Sequence, residues 1–209
     1  MTKNIELEIR AIIKKENFEL ILKKLKRKGK MVSSPDRLSV MFYSTCGKDC
    51  IDAKVRITDG KSEIVIKKGD FHSHNRTEYT QSIENCEFLN MVKIFSQFGF
   101  GAKVFERSTC NIQFQGKVML SLIKAGNYSY LEIEKMTDKK NENEDKIILE
   151  NIAKDLGVEI IKDKKAYYDF CNMLTEKVDW SFFGTKKDFL KLEKALEKMA
   201  NLDIRKNKI

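Results

Sequence analysis

Proline is almost missing from this chain: there is one, with 10 glycines, in 209 residues. No repeat or low-complexity segment interrupts it. No apolar run approaches the roughly 18–20 residues that a membrane helix needs, so no membrane partner is expected. The first residues, Met-Thr-Lys-Asn-Ile-Glu, are polar and acidic where a secretion signal would be apolar. The five cysteines (Cys46, Cys50, Cys86, Cys110, Cys171) are odd in number. Without a secretion signal they read as reduced thiols in the cytoplasm. Cys46 and Cys50 have no second pair nearby, which argues against a zinc site. The two histidines, His72 and His74, lack a third and fourth ligand and read as part of a solvated hairpin loop. A phosphate-binding glycine loop is also missing: Gly99-Phe100-Gly101 is not followed by Lys-Ser/Thr and reads as a helix end.

What the chain does have is charge. Lys and Arg number 40 against 31 Asp and Glu, a formal net charge of +9. A basic excess calls for an anionic partner, either nucleic acid or a small polyphosphate or nucleotide, and charge alone does not separate them. With 42% apolar and 34% charged residues the composition is that of a globular protein and excludes wholesale disorder. The length fits one domain with a short extension, read as a domain over 1–175 and a helical extension over 176–209.

Residues 4–13 alternate, with Ile5, Leu7 and Ile9 on one face and Glu6, Glu8 and Arg10 on the other, which predicts a strand. Phe18, Ile21, Leu22 and Leu25 predict a helix over 17–28 that stops at Gly29. Strands are predicted at 38–44, 52–58, 62–68 and 76–83, then a helix over 86–98 with Asn85 as its N-cap. Further strands are predicted at 103–108, 110–115, 117–123 and 128–136. Helices are predicted at 144–156, ended by Gly157, and at 164–175. An amphipathic tail over 186–202 carries Phe189, Leu192, Leu196 and Met199 and is expected to pack on the body or on a partner. Trp180, Phe182 and Phe183 are expected to pin that tail. Antiparallel strands interrupted by helices indicate an α+β barrel or strongly curved sheet. Whether its charged or its apolar faces point inward is left open by the pattern.

Two strands far apart in sequence each place two carboxylates on one side: Glu6 with Glu8, and Glu132 with Glu134. Four converging carboxylates repel one another unless cations neutralise them, and Mg2+ or Mn2+ suits oxygen donors. Lys54, Arg56, Lys67, Arg76, Lys103 and Arg107 alternate on the intervening strands, where arginine forks and lysine charges match phosphate oxygens.

In this order the motifs resemble those of the CYTH family, the class IV adenylate cyclases and thiamine triphosphatases of the triphosphate tunnel metalloenzymes. Glu6-Leu7-Glu8-Ile9-Arg10 is similar to the family's E-x-E-x-K, and Lys54-Val55-Arg56 to its R-x-R strand. Ile64-Val65-Ile66-Lys67, Arg76-Thr77-Glu78 and Tyr130-Leu131-Glu132-Ile133-Glu134 resemble its L-x-L-K, R-x-E and F-x-E-I-E strands. Lys165-Ala166-Tyr167-Tyr168-Asp169-Phe170 resembles the motif that closes the domain. The resemblance spans residues 4–171 and implies an eight-stranded antiparallel β-barrel whose charged lumen holds a triphosphate with a divalent metal.

By that resemblance Glu6, Glu8, Glu132 and Glu134 are metal ligands. Arg56, Lys67, Arg76 and Arg107, with Arg10 and Lys54 behind them, bind substrate, and Glu78 orients Arg76 or holds metal or water. Glu6, Glu8, Arg56, Lys67 and Arg107 are the catalytic candidates. Three positions depart from the pattern: Arg10 replaces a lysine, Phe105 stands where a lysine is expected, and Ser121 stands near the place of an aspartate. The implied activity is metal-dependent hydrolysis of an inorganic, nucleoside or organic triphosphate, with one metal at the phosphoryl oxygens and a second activating water. Three alternatives stand beside it: a class IV adenylate cyclase acting on ATP, an RNA 5'-triphosphatase, and a binding module without turnover. A homodimer, through the tail helix, is left open.

Overall fold

The computed structural model describes residues 5–46, 49–68 and 77–206. In chain order these form β1 (Ile5–Ile13), α1 (Phe18–Lys28), β2 (Lys30–Ser33), β3 (Asp36–Cys46), β4 (Asp49–Thr58), β5 (Lys61–Lys68), β6 (Thr77–Ile83), α2 (Phe88–Ser96) and β7 (Gly101–Phe114). They continue as β8 (Val118–Ala125), β9 (Tyr128–Thr137), α3 (Glu142–Leu156), β10 (Glu159–Ile160), α4 (Lys164–Lys177), β11 (Trp180–Phe182) and α5 (Lys186–Lys206). The strands at 103–108 and 110–115, read as two, are the single strand β7. Only Thr109 separates them, and with neither glycine nor proline there nothing breaks the ladder. His72, His74 and Arg76 lie outside the described residues.

The chain divides into two compact units, one running up to Pro35 and from Arg107 to Val178, the other from Asp36 to Glu106 and from Asp179 onward. In the first unit the antiparallel strand order is β10-β1-β9-β8-β7. Leu7, Ala11 and Ile13 of β1, Ile112 of β7, Leu120 and Leu122 of β8, and Leu131 and Ile133 of β9 point one way. They pack under Ile21 and Leu25 of α1 and Leu149, Ile152, Ala153 and Leu156 of α3. α1 ends at Gly29, a position where no side chain fits: a Cβ would lie 2.5 Å from Ile112 Cγ2 and 2.7 Å from the Gln113 carbonyl oxygen. Gly157 ends α3 in the left-handed region, φ 72°.

In the second unit β3, β4, β5 and β6 form a meander of neighbouring hairpins. Asp59-Gly60, both at positive φ (46° and 73°), turn β4 into β5. Leu38, Val40, Phe42, Ala53 and Val55 pack under Phe88 and Val92 of α2 and Leu192 and Met199 of α5. The tail helix thus covers the sheet of its own unit. Phe182 is buried and Trp180 half-buried in β11, which pairs with Ala102–Val104 of β7; the Phe183 residue is 81% exposed, so its ring does not pin the tail. Asn85 is not an N-cap: it opens a single 3-10 turn. Its side chain accepts from Ser62 Oγ at 2.7 Å and donates to the Gly60 carbonyl at 2.6 Å, tying the β4–β5 turn to the end of β6.

Among the described residues no helix is long and apolar enough to cross a membrane.

Candidate functional site

The orientation that the pattern leaves open is answered within each unit. The apolar strand faces lie under α1 and α3, or under α2 and α5, and the charged residues occupy the opposite faces.

In the first unit the antiparallel register sets Glu8 directly opposite Glu134 and Arg10 opposite Glu132, with Ser121 of β8 on the far side of Glu132. Directly opposed carboxylates repel, so this face needs cations. Arg10 is one of them. Its Nη2 lies 2.9 Å from Glu132 Oε1, its Nε donates to Glu8 Oε1, and its Nη1 donates to the Tyr167 hydroxyl of α4. Burial works against the charge on Arg10, but Glu132 and Glu8 outweigh it and hold the guanidinium charged well beyond its ordinary range. Arg107 hydrogen-bonds Tyr130, a half-buried tyrosine whose pKa is pushed up to about 12 by desolvation and by Glu132. Tyr130 also meets Phe170 of α4 edge-on, with ring centroids 5.4 Å apart, so α4 packs against the same end of this face. Ser121 donates to Asn111 Oδ1 at 2.9 Å, and Asn111 Nδ2 donates to Ser33 Oγ at 2.9 Å. The position near which an aspartate was expected is thus a neutral hydroxyl in a neutral relay. Glu6 lies in β1 opposite Met136; its side chain lies outside the described residues.

In the second unit Arg56 and Glu63 are cross-strand partners, Nε to Oε1 at 2.7 Å. Lys67 and Glu78 are partners too, Nζ to Oε2 at 2.7 Å. Burial opposes ionisation of Glu78, but the hydrogen bond from Lys67, with the charges of Lys67 and Arg56, brings its pKa below the ordinary value. Lys54 Nζ lies 3.3 Å from Asp52 Oδ1, and Asp52, with a side chain only 2% exposed, stands opposite Lys67 in the β4–β5 register. Phe105 and Lys103 share the strand face of Arg107 by alternation along β7, while Ala102 and Val104 on the other face are buried.

The structure therefore brings Glu8, Arg10, Arg107, Glu132 and Glu134 onto one face and Lys54, Arg56, Lys67 and Glu78 onto another. It adds Asp52, Glu63, Tyr130 and Tyr167, which motif reading left without a role. Asp52 carried a signal, since it falls in phase with Lys54 and Arg56 along β4, and Glu63 falls in phase with Lys67 along β5. Tyr167 carried none beyond its place in a motif, because its partner lies 157 residues away.

Among the described residues no three His, Cys, Asp or Glu side chains are grouped as a metal site. The donors are nevertheless of the hard-oxygen type a divalent ion takes, and the opposed pair Glu8 and Glu134 needs a cation. The Glu132 carboxylate is already engaged by Arg10.

No protein-family model matches the sequence, and no curated protein matches it significantly. Solved structures do. The PH1819 protein of Pyrococcus horikoshii superposes with a TM-score of 0.60 at 17% identity, covering 82% of this chain and 99% of that one. A candidate adenylyl cyclase from Hippeastrum, described as revealing a dominant triphosphatase activity, superposes with a TM-score of 0.56 at 15% identity, covering 80% and 95%. A candidate adenylate cyclase from Vibrio parahaemolyticus gives 0.54 at 14% identity, covering 78% and 98%. The chain has the fold of these proteins, an α+β antiparallel sheet with flanking helices. At 14–17% identity the likeness is one of fold.

Proposed function

We propose that the chain is a CYTH enzyme that acts on a triphosphate group and hydrolyses its phosphoanhydride bond. The observation that supports this best is the matched register of Lys54, Arg56 and Lys67 on one polar sheet face, each set by a carboxylate on its own or the next strand. Such a row suits a chain of phosphates, because each cation is held in place before substrate arrives.

In this reading Lys54, Arg56 and Lys67, with Arg76 and Arg107, take the phosphate oxygens. Asp52, Glu63 and Glu78 hold Lys54, Arg56 and Lys67 at their stations and yield them in part to the anion. The same cations stabilise charge on the departing phosphate as the bridging P–O bond breaks. Glu6, Glu8, Glu132 and Glu134 would hold Mg2+ or Mn2+. The ion would supply charge neutralisation and a more acidic water. Arg10 fixes Glu8 and Glu132, and Tyr167 fixes Arg10.

A second reading is cyclisation of ATP. It is favoured by the fold shared with the cyclase candidates of Hippeastrum and Vibrio parahaemolyticus. One assay separates the two: purified protein with inorganic triphosphate or ATP, with Mg2+ or Mn2+, resolving orthophosphate, pyrophosphate and cyclic AMP. Orthophosphate release that falls on the order of a hundredfold in Glu8→Gln supports the hydrolase. Cyclic AMP with pyrophosphate moves the assignment to the cyclase. Triphosphate binding without any product overturns both and leaves a binding module.

A further inference from the structure

We propose that Tyr43 is a specificity-determining residue: its ring is the platform on which a nucleobase stacks, so the phosphate face takes a nucleoside triphosphate. The inference rests on the reading of Lys54, Arg56 and Lys67 as phosphate-binding.

Register divides the polar face of the second unit into rows that cross β3, β4, β5 and β6. One row is Ser39, Arg56, Glu63 and Ser82. The next is Met41, Lys54, Val65 and Thr80, and the third is Tyr43, Asp52, Lys67 and Glu78. Directly paired residues project to the same side of a sheet, and so do residues two apart along a strand. The cations therefore advance one row at a time, Arg56, then Lys54, then Lys67, at about 7 Å per row. A phosphate chain that follows them carries its organic end past one of the two outer rows.

The two ends differ in chemistry. Beyond Arg56 comes a row of Arg37, Thr58 and Lys61, which brings two more cations. The Lys67 row instead ends on Tyr43, the one aromatic residue of the three rows. Exposure rises in the same direction. The side chains of Arg56, Lys54 and Lys67 are 18%, 22% and 32% exposed, and the Tyr43 residue 39%. The face thus opens to solvent at the Tyr43 row, where a bulky organic group has room.

The ring is seated before any ligand arrives. Its phenol end rests on Gly101 at the start of β7, where a Cβ would come within 2.8 Å of Tyr43 Cζ and 2.9 Å of Oη. Any side chain at position 101 displaces that ring, so Gly101 and Tyr43 are a fitted pair. A ring already held in place loses little entropy on stacking, and every nucleobase offers it a π-face.

The test measures binding to the full chain by calorimetry, with ATP and inorganic triphosphate as ligands and EDTA present to suppress turnover. Tyr43→Ala is expected to weaken ATP on the order of tenfold and to leave inorganic triphosphate within about twofold. Tyr43→Phe keeps the ring and is expected to hold ATP near the wild-type affinity. Tyr43→Leu keeps an apolar cover on Gly101 without a flat ring and is expected to lose ATP as Tyr43→Ala does. It also keeps the question answerable if the alanine variant does not fold. Gly101→Ala unseats the ring and is expected to weaken ATP selectively as well. Arg56→Gln is expected to weaken both ligands. Equal weakening of both ligands by the Tyr43 variants, or wild-type ATP affinity in Tyr43→Leu, overturns the inference and leaves the proposed function standing. Wild type that binds neither ligand, or Arg56→Gln that changes neither affinity, overturns the reading of the cation row itself.

Discussion

Lys67 and Glu78 face each other across β5 and β6, so each depends on the other's charge. Because the folded pKa of Glu78 is lowered, the unfolded chain binds its proton first as pH falls. The stabilisation is thus present above the ordinary glutamate value of 4.5 and is lost as pH drops through the lowered folded value. Urea unfolding of wild type and Glu78→Gln should therefore differ most near neutrality and converge as pH falls through the lowered folded value. A gap that widens with acid would show that Lys67 does not hold Glu78. At this scale much of the site was legible. Alternation alone put Glu8 with Arg10 on one face of β1 and Lys54 with Arg56 on one face of β4. What alternation does not contain is register. That Glu8 meets Glu134, or that Asp52 meets Lys67, follows from pairing between strands, which no single segment encodes. Tyr167 was hidden for the same reason, being brought to Arg10 by tertiary packing.

The helices show what an element's own sequence decides. Thr185 and Asp188 form a reciprocal cap at the start of α5. The Thr185 hydroxyl oxygen accepts from the Asp188 N–H at 3.2 Å. The Asp188 carboxylate accepts from the Phe183 and Thr185 N–H groups at 3.0 and 3.1 Å and from the Thr185 hydroxyl at 2.8 Å. Burial opposes the charge on Asp188, but these hydrogen bonds prevail and lower its pKa. Asp188→Ala should cost about 1 kcal/mol near neutral pH, measured by chemical denaturation. An unchanged midpoint would show that α5 is held by packing alone. This Thr-x-x-Asp cap stands in the sequence, and only the helix after it was read. The long strands and all five helices were legible because each spans enough residues to show a period. β2, β10 and β11 have four residues or fewer and show none. They exist because neighbours offer an edge, as Ala11 and Ile12 do to β10.

For the molecule as a whole, the net charge of +9 makes encounter with a polyanion sensitive to salt. The kcat/KM for free triphosphate should fall about tenfold between ~0.02 and ~0.2 M ionic strength, with kcat less affected. A much steeper salt dependence with 5'-triphosphate RNA, and faster turnover of it, would favour an RNA end as substrate. A flat response to salt would count against steering by the basic residues. The pairing of β1 has a further consequence at this scale, one that concerns synthesis. Ile5 pairs with Thr137 and Ile13 with Ser129, so β1 meets its partner β9 only after β2 to β8 have been made. The β3–β6 hairpins meanwhile close locally, which favours their early folding. A nascent strand with Leu7, Ile9, Ala11 and Ile13 along one side is a template for misassembly. Glu6, Glu8 and Arg10 on its other side are charges of the kind that oppose such association, so the residues proposed for the site also suit protection of the nascent strand.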